Sequence, residues 1–236
     1  MQSSDLAALF QNLTTPHVAD ACLRQGIKIR CAPSGLQAVH KKHCRFAGRV
    51  IPARHYGSVD IFLEALETAH PGDVLVIDNR GRTDEACIGD LVALEAKQAG
   101  LAALVVWGLH RDTAEIIEIG LPVFSLGGIP TGPLHLEQRD DDALQSACIG
   151  PWIVTAADIV LGDENGVLFI PLSQAGTIAR AARAICETEH NQAAKMKQGT
   201  PLRSQLRFAD FLARRAETPT MTFRQHLRRI GGAVEE

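Results

Sequence analysis

No stretch of this 236-residue chain approaches the about 20 consecutive apolar residues that a bilayer-crossing helix needs, so no membrane span is expected. Met1 to Asp5 is polar and lacks the basic start and apolar centre of an export signal, which leads to the expectation of a cytoplasmic protein. An excess of charge is lacking as well. With a net charge of −3 and a pI near 6.3, neither nucleic acid nor an anionic membrane surface is expected as the main partner. The six cysteines (Cys22, Cys31, Cys44, Cys87, Cys148 and Cys186) form no Cys-x-x-Cys pair, and the chain is long enough to need no stapling. They read as reduced thiols. There is no Gly-x-x-x-x-Gly-Lys-Ser/Thr loop, and no Gly-x-Gly-x-x-Gly follows a strand, which argues against nucleotide, nicotinamide and S-adenosylmethionine sites and so against a methyltransferase. No internal repeat is visible.

What is present is a 46% hydrophobic chain, enough for one substantial core. Leu6 to Leu13 reads as a first amphipathic helix, and Thr14-Thr15-Pro16 as the cap and first turn of a second that runs to Gln25 and stops at Gly26. Phe46 to Pro52 and Val74 to Ile77 are strand-like, with Val59 to Ala69 helical between them. Asp78 to Asp84 is then a charged loop whose arginines, Arg80 and Arg82, either meet a substrate carboxylate or are simply solvated. Val123 to Leu126 resumes the sheet, Gly127 to Pro133 is too rich in Gly and Pro for regular structure, and Gln138 to Asp142 reads as a solvated hairpin tip. Ile153 to Ala156, Ile159 to Gly162 and Gly166 to Ile170 are short strands. His40-Lys41-Lys42-His43-Cys44 resembles a zinc motif superficially, but without a second ligand pair it reads as a solvated turn. Beyond Pro171 the pattern is helical, over Ala175 to Glu189, Pro201 to Ala216 and a tail around Phe223 to Arg229. Seven arginines lie between Arg203 and Arg229, yet Asp210 and Glu217 interrupt them and Leu206, Phe208, Phe211 and Leu212 are available for packing. That suits a helix laid on a neighbouring subunit better than one laid on nucleic acid. The expected organisation is an α/β domain over 1–172 with a C-terminal helical extension over 173–236.

The run from Gly89 to Asp112 concentrates the chemistry. Leu91 to Ala99 is built of good helix formers with Gly100 placed as its C-terminal cap, and Ala102 to Trp107 is an apolar run of strand length that should cross the core. Gly108 breaks that strand, and His110, Arg111 and Asp112 follow at its C-terminal end, where α/β proteins place functional loops. Gly89 and Asp90 open a helix whose first N–H groups and dipole favour an anion. Arg111 can fork onto the same anion, and Asp90 and Asp112 are hard oxygen ligands of the kind Mg²⁺ takes in ones or twos. Two readings stay open here. Asp112-Thr113-Ala114-Glu115 also fits a helix capping box, and Gly89-Asp90 fits a plain cap.

Several motifs together carry a resemblance. Gly-Asp-Leu-Val at Gly89 to Val92, Arg-Asp at Arg111-Asp112 and Leu-Pro-Val-Phe at Leu121 to Phe124 resemble the RraA-like superfamily. Thr15-Pro16-His17-Val18-Ala19-Asp20-Ala21, Pro71-Gly72-Asp73-Val74-Leu75-Val76 and Asp163-Glu164-Asn165-Gly166-Val167 support it. That superfamily holds class II 4-hydroxy-4-methyl-2-oxoglutarate aldolases, which also decarboxylate oxaloacetate, and regulators of ribonuclease E activity. The resemblance implies a swivelling β/β/α sandwich assembled as a homotrimer or homohexamer. In the aldolases the aspartate matching Asp112 binds Mg²⁺ or Mn²⁺, and the one matching Asp90 reaches it through water. The backbone matching Gly89, Asp90, Leu91 and Val92 holds the substrate carboxylate, and the arginine matching Arg111 holds the keto acid and works in catalysis with Asp90. Two departures stand out. Trp107-Gly108 replaces the Asp-Gly of many members, and the Gln198 to Pro201 region lacks the glutamate that a neighbouring subunit supplies, leaving Glu187 and Glu189 as stand-ins. The implied function is a divalent-metal-dependent carbon–carbon lyase acting on a small 2-oxo acid through a pyruvate enolate. The alternative is a non-catalytic protein that regulates a ribonuclease, in whose relatives the metal-binding aspartate is typically replaced.

Overall fold

The computed structural model describes residues 1–40, 42 and 44–231. The chain opens with helices α1 (Ser3–Leu9) and α2 (Thr15–Arg24), passes through strands β1 (Arg30–Cys31), β2 (Gln37–Ala38) and β3 (Phe46–Arg54), and continues into α3 (Asp60–Glu67). Next come β4 (Val74–Asp78), β5 (Ala86–Ile88), α4 (Asp90–Gln98), β6 (Ala103–Trp107), β7 (Leu109–His110), α5 (Thr113–Ile119) and β8 (Val123–Ser125). The remainder is β9 (Ser146–Ile149), β10 (Trp152–Thr155), β11 (Asp158–Asp163), β12 (Gly166–Pro171), α6 (Ala175–Lys197), α7 (Leu202–Gln205), α8 (Phe208–Glu217) and α9 (Phe223–Ile230).

One curled eight-stranded sheet, ordered β1-β12-β11-β3-β4-β6-β8-β2, organises these elements. Its centre, β3-β4-β6-β8, is parallel, and its flanks are antiparallel. Val74 to Ile77 of β4 and Ala103 to Trp107 of β6 are apolar throughout because both faces are covered, and their alternate residues diverge as a pleated strand requires. Leu75, Ile77, Leu104 and Val106 meet Ile61, Phe62, Ala93, Ala96 and Ile116 of α3, α4 and α5. Val74, Val76, Ala103 and Val105 meet Ile149 and Val154 of the β9–β10 hairpin on the opposite side. Helices, sheet and hairpin make the expected β/β/α sandwich with helices at its C-terminal end. Further along the sheet, Ile159, Leu161, Leu168 and Ile170 bury against α1, α2 and α6.

The parallel strands all deliver their C-terminal ends to one edge, and α4 is fed from that edge. Its start follows from Gly89 and its end from Gly100, whose φ of +81° suits the residue without a Cβ.

Several expectations are corrected. The first helix begins three residues early, at Ser3, because Gln2 and Asp5 form a capping box there. Gln138 to Asp142 is no hairpin tip but a coil stapled to the body: Arg139 forks onto Glu64 at 2.6 and 2.9 Å, and Arg54 pairs with Asp140 at 3.4 Å and with Asp142. The Pro201 to Ala216 helix breaks at Arg207, which takes a left-handed φ of +49°. Among the described residues no disulfide joins the cysteines. The His40 to Cys44 turn lies partly outside the described residues, and among those described no group of three His, Cys, Asp or Glu converges. Among the described residues no helix is long and apolar enough to cross a membrane.

Candidate active site

Two segments far apart in the pattern of elements are clamped together by a small parallel ladder. Ala86 and Ile88 of β5 pair with Leu109 and His110 of β7, and Arg111 N–H donates to Ile88 O at 3.0 Å. This sets the turn at Arg111-Asp112 directly against Gly89, the N-cap of α4. The approach is close enough to need glycine. A Cβ on Gly89 would collide with Asp112 Oδ2 and lie 3.2 Å from Arg111 Nε. Its φ of −140° and ψ of −162° are open to any residue, so a side chain here would strain no backbone but would have to displace the Asp112 carboxylate.

Asp112 sits at the N-cap of α5, but its side chain makes no capping hydrogen bond, which overturns the capping-box reading. It is held in the left-handed region, at φ +58° and ψ +46°, a conformation that costs a non-glycine residue about 1–2 kcal/mol. Its carboxylate turns back towards α4, where Oδ2 lies 3.4 Å from the Asp90 N–H and 3.3 Å from Arg111 Nε. Asp90 in turn accepts the Leu91 N–H at 2.8 Å, so the plain-cap reading holds in part: its carboxylate answers one of the orphan donors of the first turn. Arg111 and Asp112 remain about half and one-third exposed, within reach of a ligand.

Behind the turn lies a buried polar chain that the sequence reading missed. His110 Nδ1 is 2.7 Å from Ser125 Oγ and Nε2 is 2.9 Å from Thr113 Oγ1, while Ser125 Oγ also accepts the Gly127 N–H at 3.2 Å. Burial pushes the His110 imidazole below its usual value, which keeps it neutral. Its partners lie on β8 and α5, so the three residues brace the Arg111-Asp112 turn from the core side.

In front of the turn is an open cleft of about 420 Å³. Gly89, Asp90, Leu91, Val92 and Arg111 line it together with Ala86, Cys87, Ile88, Glu95, Val59, Leu63 and Pro133, whereas Asp112 is not among the residues that line it. Burial pushes the Cys87 thiol far up, so it contributes a neutral wall and no thiolate. Arg80, still exposed, and the partly buried Arg82 are both engaged in ion pairs. They pair with Glu137 at 2.7 Å and with the fully buried Glu85 at 3.1 Å, and so fasten the Thr131 to Glu137 coil beside the site. Trp107 packs close to Gly81 of that loop and lines a separate polar hollow with Asp78 and Arg80. Glu189 is engaged with His17 at 3.2 Å.

A family model described as Aldolase/RraA, RraA-like, matches residues 15–169. The chain belongs to the RraA-like family. Among its relatives, a 4-hydroxy-4-methyl-2-oxoglutarate aldolase of Thermus thermophilus is 30% identical over 132 residues, 56% of this chain and 79% of that one. An uncharacterised protein from Pseudomonas syringae superposes with a TM-score of 0.74 at 24% identity, over 84% of this chain and 95% of the other. RraAS2 of Streptomyces coelicolor, described as an unusual member of the RNase ES inhibitor RraA family, gives a TM-score of 0.67 at 24% identity over 82% and 96%. These two structural likenesses establish the RraA-like fold alone.

The donor set at the RraA-like site fits a hard cation and not a soft one. The Asp112 carboxylate lies 3.4 Å from the backbone N–H of Asp90, whose own residue lines the open cleft, and one or two such carboxylates suit Mg²⁺ or Mn²⁺ completing its shell with water and substrate oxygens. A closed cage of the zinc type would need further ligands, and no such group is found among the described residues.

Proposed function

We propose that this protein is a divalent-metal-dependent lyase that cleaves a carbon–carbon bond of a small 2-oxo acid, by retro-aldol cleavage or by decarboxylation, through a pyruvate enolate. The observation that carries the reading is the contact of Asp112 and Arg111 with Gly89, which brings a carboxylate and a guanidinium to the helix N-terminus at the end of a cleft that Gly89 and Arg111 line. In this reading Asp112 holds Mg²⁺ or Mn²⁺ directly and Asp90 reaches it through water. The metal supplies Lewis-acid polarisation of the keto oxygen.

The chain's own groups do the rest. The N–H groups of Gly89 to Val92 hold the substrate carboxylate, helped by the dipole of α4. Arg111 faces the keto oxygen and stabilises the negative charge that grows there as the bond breaks, a role in which fixed donors are worth most when water is scarce. A water held beside Asp90 moves the proton. The His110 brace keeps Arg111 and Asp112 in register without itself ionising. Subunits of a homotrimer or homohexamer, in the cytoplasm, are part of the same reading.

The test is release of pyruvate from a panel of 4-hydroxy-2-oxo acids and oxaloacetate, with Mg²⁺ or Mn²⁺ and with chelator. Metal-stimulated release supports the lyase. Absence of release from every substrate, with a folded protein that binds a ribonuclease, would select the regulatory alternative.

A further inference from the structure

Glu85, immediately before β5, carries a carboxylate with no exposed surface. A charge is costly to take out of water unless its oxygens find partners. Here both do: Oε1 accepts from Arg82 Nη1 at 3.1 Å, and Oε2 accepts the Leu134 N–H at 2.6 Å. The second bond reaches 49 residues along the chain, into a coil that forms neither helix nor strand over 131–140. Without a ladder or a helical turn, such a coil is only as fixed as its individual ties. At its start the Ala86 N–H donates to Thr131 O at 3.1 Å. Further on, the Glu137 N–H donates to Tyr56 O at 2.8 Å, and the Glu137 carboxylate pairs with Arg80 at 2.7 Å and Arg82 at 3.4 Å. Glu85 grips the middle, at Leu134.

Between the first tie and that grip the coil passes Arg111. A Cβ built on Gly132 would lie 2.9 Å from Arg111 Nη1, and one built on Gly89 would lie 3.2 Å from Arg111 Nε. The guanidinium thus touches two bare backbones, one at the start of α4 and one in the coil. Its side chain is about half exposed, so these contacts are what restrict a long side chain that otherwise has many rotamers. A donor held in one orientation stabilises developing charge without reorganising as the reaction proceeds. We propose that the coil tied down by Glu85 positions Arg111 through Gly132, which makes Glu85 a positioning residue that itself touches no substrate. This role rests on the lyase reading above for what Arg111 does, and it adds what aims the guanidinium.

Gly132→Ala tests the contact. Gly132 lacks the positive φ that favours glycine, and the atom in the way is the far end of a flexible side chain, so the new methyl should displace the guanidinium at little cost in folding. Glu85→Gln tests the tie, because it keeps the shape but removes the charge that holds Arg82. Two quantities are read on the full chain in Mg²⁺: steady-state pyruvate release, and the affinity for oxalate, a planar mimic of the pyruvate enolate, by calorimetry. Each substitution should lower kcat and oxalate affinity by about tenfold or more with KM moving less, and Gly132→Ala should do so at an unchanged melting temperature. In an Arg111→Ala background neither should weaken oxalate by more than about twofold, since the group they aim is gone. A purely structural Glu85 would show no such dependence on Arg111. Parent-like kcat and oxalate affinity in folded variants, or losses of equal size in both backgrounds, overturn the proposal and leave the lyase reading intact. If Glu85→Gln does not fold, Gly132→Ala decides alone by the same criteria. A parent protein that neither releases pyruvate nor binds oxalate removes the lyase reading, and the role of the coil falls with it.

Discussion

Asp112 is where conformation and chemistry conflict most openly. The residue accepts a left-handed backbone that costs about 1–2 kcal/mol and leaves the start of α5 without a side-chain cap, and its carboxylate turns instead to the Asp90 N–H and Arg111 Nε. Asp112→Gly relieves that strain while adding freedom to the unfolded chain, so urea denaturation should find its stability within about 1 kcal/mol of the parent. Metal-stimulated pyruvate release should nevertheless disappear. An active, folded Asp112→Gly protein would show that the carboxylate is not a metal ligand. Arg111→Lys keeps the charge and loses the fork. Because the proposed interaction strengthens in the transition state, kcat should drop on the order of a hundredfold, with KM changing much less. Unchanged steady-state constants would reduce Arg111 to an ion-pair partner of Asp112. His55 provides a test of the scaffold independent of catalysis. It is buried, stacks on Phe62 with ring centroids 5.3 Å apart, and shares a 2.9 Å hydrogen bond between Nδ1 and Asn79 Oδ1. Burial lowers its pKa below the ordinary 6.5, outweighing the Asn79 bond and the Glu85 field. The unfolded chain therefore binds more protons than the folded one below about pH 6.5, and stability should fall as pH drops through that value towards the lower folded pKa. His55→Phe keeps the ring on Phe62, and in thermal melts this loss of stability should flatten; an identical pH slope would assign it to other groups.

At the scale of elements, α4 shows how a helix start becomes a binding feature. Gly89→Ala places a methyl where Asp112 Oδ2 now lies, although the backbone angles tolerate alanine. The turn must give way, so oxalate affinity should fall by about tenfold or more while the melting temperature moves little, since one exposed loop absorbs the shift. Calorimetry and a melt on the same sample separate the two. The elements whose cores are buried on both faces were legible from the chain: β4 and β6 are continuous apolar runs, and β11 and β12 are short runs bounded by turn residues. Illegible elements owe their existence to distant partners. β1 and β2 are two residues each and are strands only because β12 and β8 offer edges to pair with. β9 begins in polar Ser146 and was hidden by the preceding charged coil. α6 continues eight residues past Glu189 through Asn191, Gln192 and lysines, where helix propensity persists after amphipathic patterning stops. The site followed the same rule. Gly89 to Val92, Arg111 and Asp112 were marked by spacing and resemblance, whereas Val59, Leu63 and the His110-Ser125-Thr113 chain reach the site through tertiary packing that no local pattern encodes.

For the whole molecule, the C-terminal helices divide into a part that belongs to the core and a part that caps it. Ile178, Ala179, Ala182 and Ile185 of α6 are buried with Leu6 of α1, Phe10 just beyond it, and Val18 and Ala21 of α2, against the β11–β12 part of the sheet. A chain ending at Leu172 would expose that face, with each lost large aliphatic side chain worth about 1.5–3 kcal/mol, and it should not stay soluble. The helices beyond are built differently. Phe208, Phe211, Phe223 and His226 form their own aromatic cluster, with ring centroids 5.0–5.9 Å apart, and His226 Nε2 shares a 2.9 Å hydrogen bond with Leu206 O. They meet α6 through Gln205, whose amide donates to Gln192 O at 3.1 Å, and present Arg203, Arg215, Arg224, Arg228 and Arg229 outward. A chain ending at Gly199 therefore keeps the core cluster whole and removes only the arginine-bearing cap. If that cap joins subunits, as the mixture of arginine and apolar surface suggests, the Gly199-terminated protein should melt close to the parent at low concentration yet show a smaller mass in light scattering. The cleft lies with α3 and α4 over the β4–β6 part of the sheet, away from the β11–β12 part that α6 covers, so oxalate binding by the smaller species should persist unless a neighbouring subunit completes the site. Retention of the parent mass would place the subunit contacts on the α/β body; loss of both mass and oxalate affinity would put part of the binding site on the partner.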